Sequence, residues 1–431
     1  MADYKSVFLF GPFALDPEAG LYRDERLVRL PPKELALLKL LVQLKGQVAS
    51  HMDIEQQLWP DRVVSYAALA RCVYSLRRLL GPEGKKLIET VPKRGYRLAV
   101  AVRKFEPPRG ETALSQSISG IPLAYSHYFA GAREANDPRP AGQARAIMLF
   151  EEAAKVDPAF AAAHAAVADT RMYQVIRGFL HPRDGLELGL RACRQALDIN
   201  PRLVQGLAAR GWFEGVMMQR YDAAHACLDK ALTIDRGYSR AYAYRSWVFR
   251  CQGKSQHSVT AIRKAVEMDP HALLNRHSLC TALFCAGGVE EALGIERELR
   301  RQYPQDDIAQ GFFALFAAYL GHTREALVGC SAALQLSADL PVVCAAMAYV
   351  LARAGKLTEA RDLAASAYAA TLPRAPRPML AAVYVELGEE QHALALLQEA
   401  REERCPYFAP ARIDPRFAKL KRDRKFAALF K

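Results

Sequence analysis

Between residues 6 and 30 the chain runs in short, partly alternating apolar stretches (6–10, 13–15, 21–23 and 26–30). Gly11-Pro12, Asp16-Pro17-Glu18-Ala19-Gly20 and Asp24-Glu25 separate them. Period-two segments with such breakers predict an antiparallel meander of four strands. At Pro31-Pro32 the period changes. Leu35, Leu38, Leu41, Val42 and Leu44 recur at three and four, as in an amphipathic helix ending near Gly46. A second short helix, over residues 52–58, buries Ile54 and Leu58 and stops at Trp59-Pro60. A third is expected over residues 65–80, with Ser65 as N-cap and Gly81-Pro82 as the stop. Leu69, Val73, Leu76 and Leu80 form its buried stripe. The opposite face carries Arg71, Tyr74, Ser75 and Arg78, with Arg77 on the flank. Two β-prone runs, 87–91 and 96–100, are joined by Pro92-Lys93-Arg94-Gly95, a hairpin with a basic tip and Arg97 just beyond.

Residues 103–122, with Pro107-Pro108, Arg109-Gly110 and three serines, read as a polar tether. Beyond it a period emerges. Gly253, Gly287, Gly321 and Gly355 are 34 residues apart, as are Ala292, Ala326 and Ala360, with Ala224 and Ser258 extending the series upstream. The glycine ends the first helix of each pair, and the small residue lets the second approach its neighbour. This period resembles the tetratricopeptide repeat. Over residues 123–404 it predicts about eight helix pairs stacked into a superhelix with a concave wall. Val156-Asp157-Pro158 and Ile199-Asn200-Pro201 stand 43 residues apart, which places some nine extra residues around 179–185. Residues 405–431 read as a basic capping segment. On the wall, Arg210, Tyr242, Arg245, Arg276 and Tyr319 are candidates for a peptide, protein or small-ligand partner, with Trp212, Tyr244 and His277 beside them. Packing between repeats competes with that role at each position.

Charge sharpens the reading. The 431 residues carry a formal net charge of +13. Residues 1–104 hold 18 Lys and Arg against 11 Asp and Glu, and residues 416–431 hold seven basic side chains against Asp423 alone. The stretch between is neutral. A positive balance points to nucleic acid or an anionic lipid surface. No run approaches the ~20 apolar residues that cross a bilayer, and the start of the chain lacks a basic segment followed by an apolar one. Nine cysteines, an odd number with no Cys-x-x-Cys, fit a reducing compartment. A soluble cytoplasmic protein without a membrane partner is the expectation.

Arginines on an exposed helix face are common and identify nothing alone. Followed at once by a basic hairpin, they acquire a use. A helix fits the major groove, where arginine bonds bidentately to guanine, and a hairpin can reach phosphates or the minor groove alongside. The order meander, three helices, hairpin over residues 1–102 resembles the OmpR/PhoB-type winged helix. Thr90-Val91-Pro92-Lys93-Arg94-Gly95-Tyr96-Arg97-Leu98 is similar to that family's wing in CadC-, ToxR- and HilA-type regulators. Arg71-Cys72-Val73-Tyr74-Ser75-Leu76-Arg77-Arg78-Leu79-Leu80 resembles the HilA-type recognition helix. The fold expected is therefore an α+β winged helix followed by an all-α tetratricopeptide superhelix.

The resemblance implies a sequence-specific DNA-binding regulator, an activator of virulence or secretion genes in a bacterium. Its duplex contacts would be Arg71, Tyr74, Ser75, Arg77, Arg78, Lys93, Arg94 and Arg97. It implies a loop facing RNA polymerase, here with Asp61 and Arg62, and homo-oligomers are a further expectation. The chain opens at this reader with no phospho-acceptor receiver before it, so control by aspartyl phosphorylation within the chain is not expected. An interaction scaffold, whose basic leading domain binds protein instead, is the alternative. No enzyme, metal or cofactor constellation stands out. Gly81-Pro82-Glu83-Gly84-Lys85-Lys86 lacks the spacer and terminal Ser/Thr of a phosphate loop. His271 with His277, or Cys280 with Cys285, have no spacing that suits a metal.

Overall fold

The computed structural model describes residues 7–10, 13–16, 20–23, 26–59, 66–92, 94–100, 102–105, 121–270 and 272–431. The alternating runs form the meander β1 (Val7–Phe10), β2 (Phe13–Asp16), β3 (Gly20–Arg23) and β4 (Arg26–Val28). Its register sets Phe8 opposite Leu15, Phe10 opposite Phe13 and Leu15 opposite Leu21. All five are buried, so one face of the sheet is apolar. Next come α1 (Pro32–Gln43), β5 (Ala49–Ser50), α2 (His51–Leu58) and α3 (Tyr66–Leu79). After a 3-10 turn, Gly81–Glu83, follow α4 (Gly84–Leu87), β6 (Ile88–Val91), β7 (Gly95–Leu98) and β8 (Arg103–Phe105).

Proline at the start of α1 sits where a missing N–H costs nothing. At α2, Ser50 and Asp53 form a capping box: the Asp53 amide donates to Ser50 Oγ at 3.1 Å and the Ser50 amide to Asp53 Oδ2 at 2.9 Å. The predicted stripe Leu69, Val73, Leu76 and Leu80 is buried, in one core with Leu37, Leu38, Leu41 and Val42 of α1, Ile54 and Leu58 of α2, and the meander. Two departures concern strands. Residues 103–105, read as the start of a tether, pair antiparallel with β1 as a fifth strand. β5 pairs with β7. Both are too short to show a period. Ser65, the expected cap of α3, and residues 106–120 of the tether lie outside the described residues.

The 34-residue period becomes eight antiparallel helix pairs among the described residues. They begin with α5 (Pro122–Glu134) and α6 (Pro140–Val156), then α7 (Ala161–Ile176) and α8 (Pro182–Ile199). α9 (Val204–Trp212), prolonged by a π turn at Phe213–Met217, pairs with α10 (Tyr221–Ile234), and α11 (Ser239–Cys251) with α12 (Ser255–Met268). α13 (Leu273–Cys285) and α14 (Val289–Gln302) precede α15 (Asp307–Tyr319) and α16 (Thr323–Ser337). The last are α17 (Pro341–Arg353) with α18 (Leu357–Ala369), and α19 (Arg377–Glu386) with α20 (Glu390–Glu402). Gly253, Gly287, Gly321 and Gly355 each follow a first helix with φ between +78° and +90°, a region that disfavours side chains. Ala224, Ser258, Ala292, Ala326 and Ala360 are fully buried where the second helices pack.

The extra residues of the second pair do not form one inserted loop around 179–185. Most lengthen the helices: α7 has 16 residues and α8 18, against 13 and 14 in α11 and α12. The turn between α7 and α8 instead reaches across the coil. Gly178 O accepts the Arg374 amide at 2.8 Å, and Arg177 pairs with Asp307 at 2.6 Å, both side chains buried. Residues 405–431 also differ from one continuous capping helix. They form 3-10 turns at Ala409–Arg412, Pro415–Phe417 and Leu420–Arg422, then α21 (Arg424–Leu429). α21 packs on α20 of the last pair, as a cap does, and the turns before it reach back against earlier repeats. No helix among the described residues is long and apolar enough to cross a membrane.

Candidate nucleic-acid interface

With Leu69, Val73 and Leu76 anchoring α3 to the core, helical geometry turns Arg71, Tyr74 and Arg78 outward, and all three are exposed. Tyr74 keeps 66% of its surface, unusual for an aromatic side chain. Ser75 and Arg77 are half-buried at the edge of this face. Cys72, on the inward side, has its thiol pushed up to about 11, chiefly by burial and secondarily by Glu34, so it stays protonated and inert.

The sequence placed Arg77 on the flank of this face and counted it among the duplex contacts. The structure gives it a different position. Its Nε and Nη2 donate to Ile88 O at 3.0 and 2.7 Å, and Nη2 also to Thr90 Oγ1 at 2.9 Å. Its guanidinium lies 5.9 Å from the centre of the buried Tyr96 ring. Arg77 thus fastens α3 to β6 and β7, setting the angle between helix and hairpin. Arg97 projects from β7 and is exposed, but its Nε pairs with Glu89 Oε2 across the hairpin at 2.6 Å. Arg94 is exposed at the hairpin turn, where its amide donates to Val91 O at 3.0 Å. Gly95 closes the turn at φ +142°. A side chain there would begin 1.9 Å from Ala49 O, so β5 and β7 approach this closely only through glycine. Lys93, Asp61 and Arg62 lie outside the described residues.

Lys85 and Lys86 are exposed on α4, between α3 and the hairpin. In sequence that segment shows only the stop of the third helix, because its glycines and proline dominate the pattern. The pair of lysines after the recognition-helix stop was the signal available. Together, α3, α4 and the hairpin tip offer guanidinium and ammonium groups, with one exposed phenol, on consecutive elements of one small unit. Such a surface can bond to base edges from a rigid helix and to phosphates from its flanks.

The candidates on the array are placed less uniformly. Arg245 pairs with Asp229 of α10, and Arg276 with Glu298 of α14 at 3.6 Å, so both bridge a first helix to a second. Arg210 lies 3.7 Å from Glu214 and stays half exposed. The Tyr242 hydroxyl donates to Arg236 O at 3.3 Å. Trp212 is fully buried, Tyr244 donates to Asp169 Oδ1 at 3.0 Å, and His277 Nδ1 meets Glu296 Oε1 at 2.9 Å within the core. Tyr319 differs: it borders a recess shared with Ile413, Pro415 and Lys421 of the final segment. The residues that meet that segment, Trp247, Tyr349 and Glu386 among them, were not singled out as wall residues. A legible signal was the repeat phase: Trp247 and Tyr349 each stand six positions before a repeat glycine, Gly253 and Gly355, and Glu386 two before Gly388.

No three His, Cys, Asp or Glu among the described residues are grouped to hold a metal, and His271 lies outside them. The nine cysteines are free thiols, most of them buried.

Comparison with known proteins bears on the leading unit. The family described as "Transcriptional regulatory protein, C terminal" matches residues 24–98. The chain is 37% identical over 102 residues to the transcriptional regulator HilA of Salmonella typhimurium, a match covering 23% of this chain and 18% of HilA. To the transcriptional activator CadC of Escherichia coli it is 30% identical over 122 residues, covering 27% of this chain and 24% of CadC. The chain therefore spans less than a quarter of the length of either relative. Among solved structures, yeast Tom70 is similar over 74% of this chain and 69% of its own, at 18% identity and a TM-score of 0.41. Residues 24–98 are an OmpR/PhoB-type transcriptional regulatory domain, homologous to those of the HilA-, CadC- and ToxR-type regulators.

Proposed function

We propose that this chain is a sequence-specific DNA-binding transcription regulator in which α3 enters the major groove and the β6–β7 hairpin follows the adjacent backbone or minor groove. The carrying observation is the exposed set Arg71, Tyr74 and Arg78 on the side of α3 away from the core, with Arg94 exposed at the hairpin turn. Arg71 and Arg78 read bases, and Arg94, with Lys85, Lys86 and Lys93, neutralises phosphates. Arg77 holds the two elements in register. The array serves as the partner arm, taking a protein or peptide. Asp61 and Arg62 face RNA polymerase, and the regulated genes are of the virulence or secretion type, as the HilA-type resemblance implies. Such a protein works in the cytoplasm, where its DNA is.

The test is selection of bound sequences from random duplex DNA by the full chain, repeated with Arg71→Ala and Arg78→Ala. A recovered consensus that weakens at discrete positions in the two variants supports the reading. Recovery of no consensus at moderate ionic strength, with partner capture intact, would leave the chain an interaction scaffold.

A further inference from the structure

Residues 405–431 run along the inner ends of the first helices of many repeats. The Tyr407 hydroxyl donates to Ile176 O at the end of α7 at 3.2 Å, and its ring lies 5.9 Å from that of Trp247 in α11. The Arg416 guanidinium stands 5.5 Å from the Tyr349 ring of α17, and Lys419 Nζ is 3.8 Å from Glu386 of α19. These helices belong to pairs far apart in sequence. What they share is that each is the first helix of its pair, so the segment spans several repeats, while α21 also packs on α20 of the last pair.

Residues 405–411 are almost continuously buried, and from residue 412 on the segment holds on by separate anchors. Asp414-Pro415-Arg416-Phe417 and Asp423-Arg424-Lys425-Phe426 are the same device nine residues apart. In each, the aspartate accepts the amide two residues on, Arg416 N at 2.9 Å and Lys425 N at 2.7 Å. In each, the phenylalanine that follows is buried against the array: Phe417 fully, Phe426 nearly so. Between the anchors, Lys419, Lys421 and Arg422 are exposed. The repeat helices instead pack along continuous stripes over three or four turns. A segment of short turns and isolated anchors opens at lower free energy than the stack beneath it. It is also how a bound peptide engages a groove, by a few anchors in pockets.

We propose that the face formed by the first helices is a peptide-docking surface already occupied by the chain's own residues 412–431. A partner segment of the same chemistry, Asp-x-basic-Phe turns presenting phenylalanine anchors, gains the wall by displacing them. The groove recognises a capped turn, a ring and a cation: the Phe417 cleft takes the ring, and Tyr349 with Glu386 takes the flanking charges. The proposal rests on the array being the partner arm and not on what α3 reads. A failed DNA selection therefore leaves it standing.

The test uses the full chain and a fluorescent peptide of residues 411–431, followed by anisotropy. The unaltered chain should take up the peptide at least ~10-fold more weakly than a chain carrying Phe417→Ala and Phe426→Ala, because its groove is filled. A scrambled peptide of the same composition, and a peptide bearing the same two substitutions, should bind neither chain. A double variant that keeps the array's thermal transition yet ignores the peptide overturns the proposal, as does equal binding of the scrambled peptide. Hydrogen exchange on the unaltered chain decides the matter if the double variant does not fold. Amides of 412–430 should then exchange well before those of α13, α15 and α17. Loss of protection in all of them at one common rate makes the segment a fixed part of the fold and ends the proposal.

Discussion

Arg77 and Arg78 are adjacent in sequence, equal in charge and assigned opposite work, so replacing each separately tests the assignment. Arg77 gives two hydrogen bonds to one carbonyl, Ile88 O, and a third to the exposed Thr90 hydroxyl. A hydrogen bond from a charged donor contributes ~1.5–3 kcal/mol. The two to Ile88 act as one interaction, and solvent weakens the third, so Arg77→Ala should cost about 2 kcal/mol. For a domain of roughly a hundred residues each kcal/mol moves the midpoint by about 4–8 °C, which predicts a fall of about 8–16 °C. Arg78 is exposed and has no hydrogen bond or ion pair among the described residues. Arg78→Ala should leave stability within about 0.5 kcal/mol. Calorimetry of the full chain, in which the leading unit with its own core is expected to unfold apart from the array, gives both shifts. Arg77→Lys should recover only part of the loss, since an ammonium lacks the fork that reaches the carbonyl and the hydroxyl together. On DNA, Arg77→Ala should weaken binding to every sequence through the misplaced hairpin, whereas Arg78→Ala should relax the preference at one position. Unchanged stability in Arg77→Ala, together with loss of preference at a single base pair, would refute the division of labour.

Three further outcomes follow from the same geometry. Arg71→Ala should cost ~1–3 kcal/mol at the selected site and little on random duplex, whereas Arg94→Ala should weaken both and lower the salt slope by about one; mobility-shift titrations at several salt concentrations read the difference. Asp307→Asn leaves the Arg177 guanidinium buried without its counter-charge, and the array's transition in denaturant should lose ~3–5 kcal/mol; a loss under 1 kcal/mol would mean that water reaches the pair. Burial opposes the charged form of His277, but its hydrogen bond to Glu296 and the charges of Glu296 and Asp306 outweigh it and hold the imidazole above its ordinary 6.5. A raised folded-state value stabilises below the unfolded one and fades as pH rises through the folded one, so the array should melt lower above neutral pH than at pH ~6. His277→Gln should flatten that slope, and a slope that survives the substitution places its origin elsewhere.

Much of the leading unit was legible because one face of every element is buried. A strand or helix with a single apolar face advertises its period, and the residues left over, Arg71, Tyr74 and Arg78, are then exposed by subtraction. Arg77 escaped this logic. A position on the flank of the stripe is compatible with solvent, DNA or a neighbour, and only the location of Ile88 O decides among them. β8 and β5 were missed because a strand of two or three residues has no period, and its existence depends on the partner that reaches it. In the array, glycines 34 residues apart located the pairs, since a left-handed residue after each first helix is a local requirement.

The groove was illegible for a different reason. A repeat period specifies how one pair stacks on the next, but whether the coil closes depends on small rotations summed over the array. Arg177 meeting Asp307 across 130 residues is a product of that sum. The same holds for the final segment. Its composition, basic with scattered phenylalanines, looks like a solvated end when read alone, because the apolar positions fit no helix stripe. They make sense once the array is present: Phe417 and Phe426 are both buried against it, and each aspartate three residues earlier shapes the turn that precedes the ring. A pattern without internal periodicity, repeated with the same small device, is what a ligand looks like in sequence. Period-seeking analysis passes over such a segment, since its regularity belongs to the surface it binds.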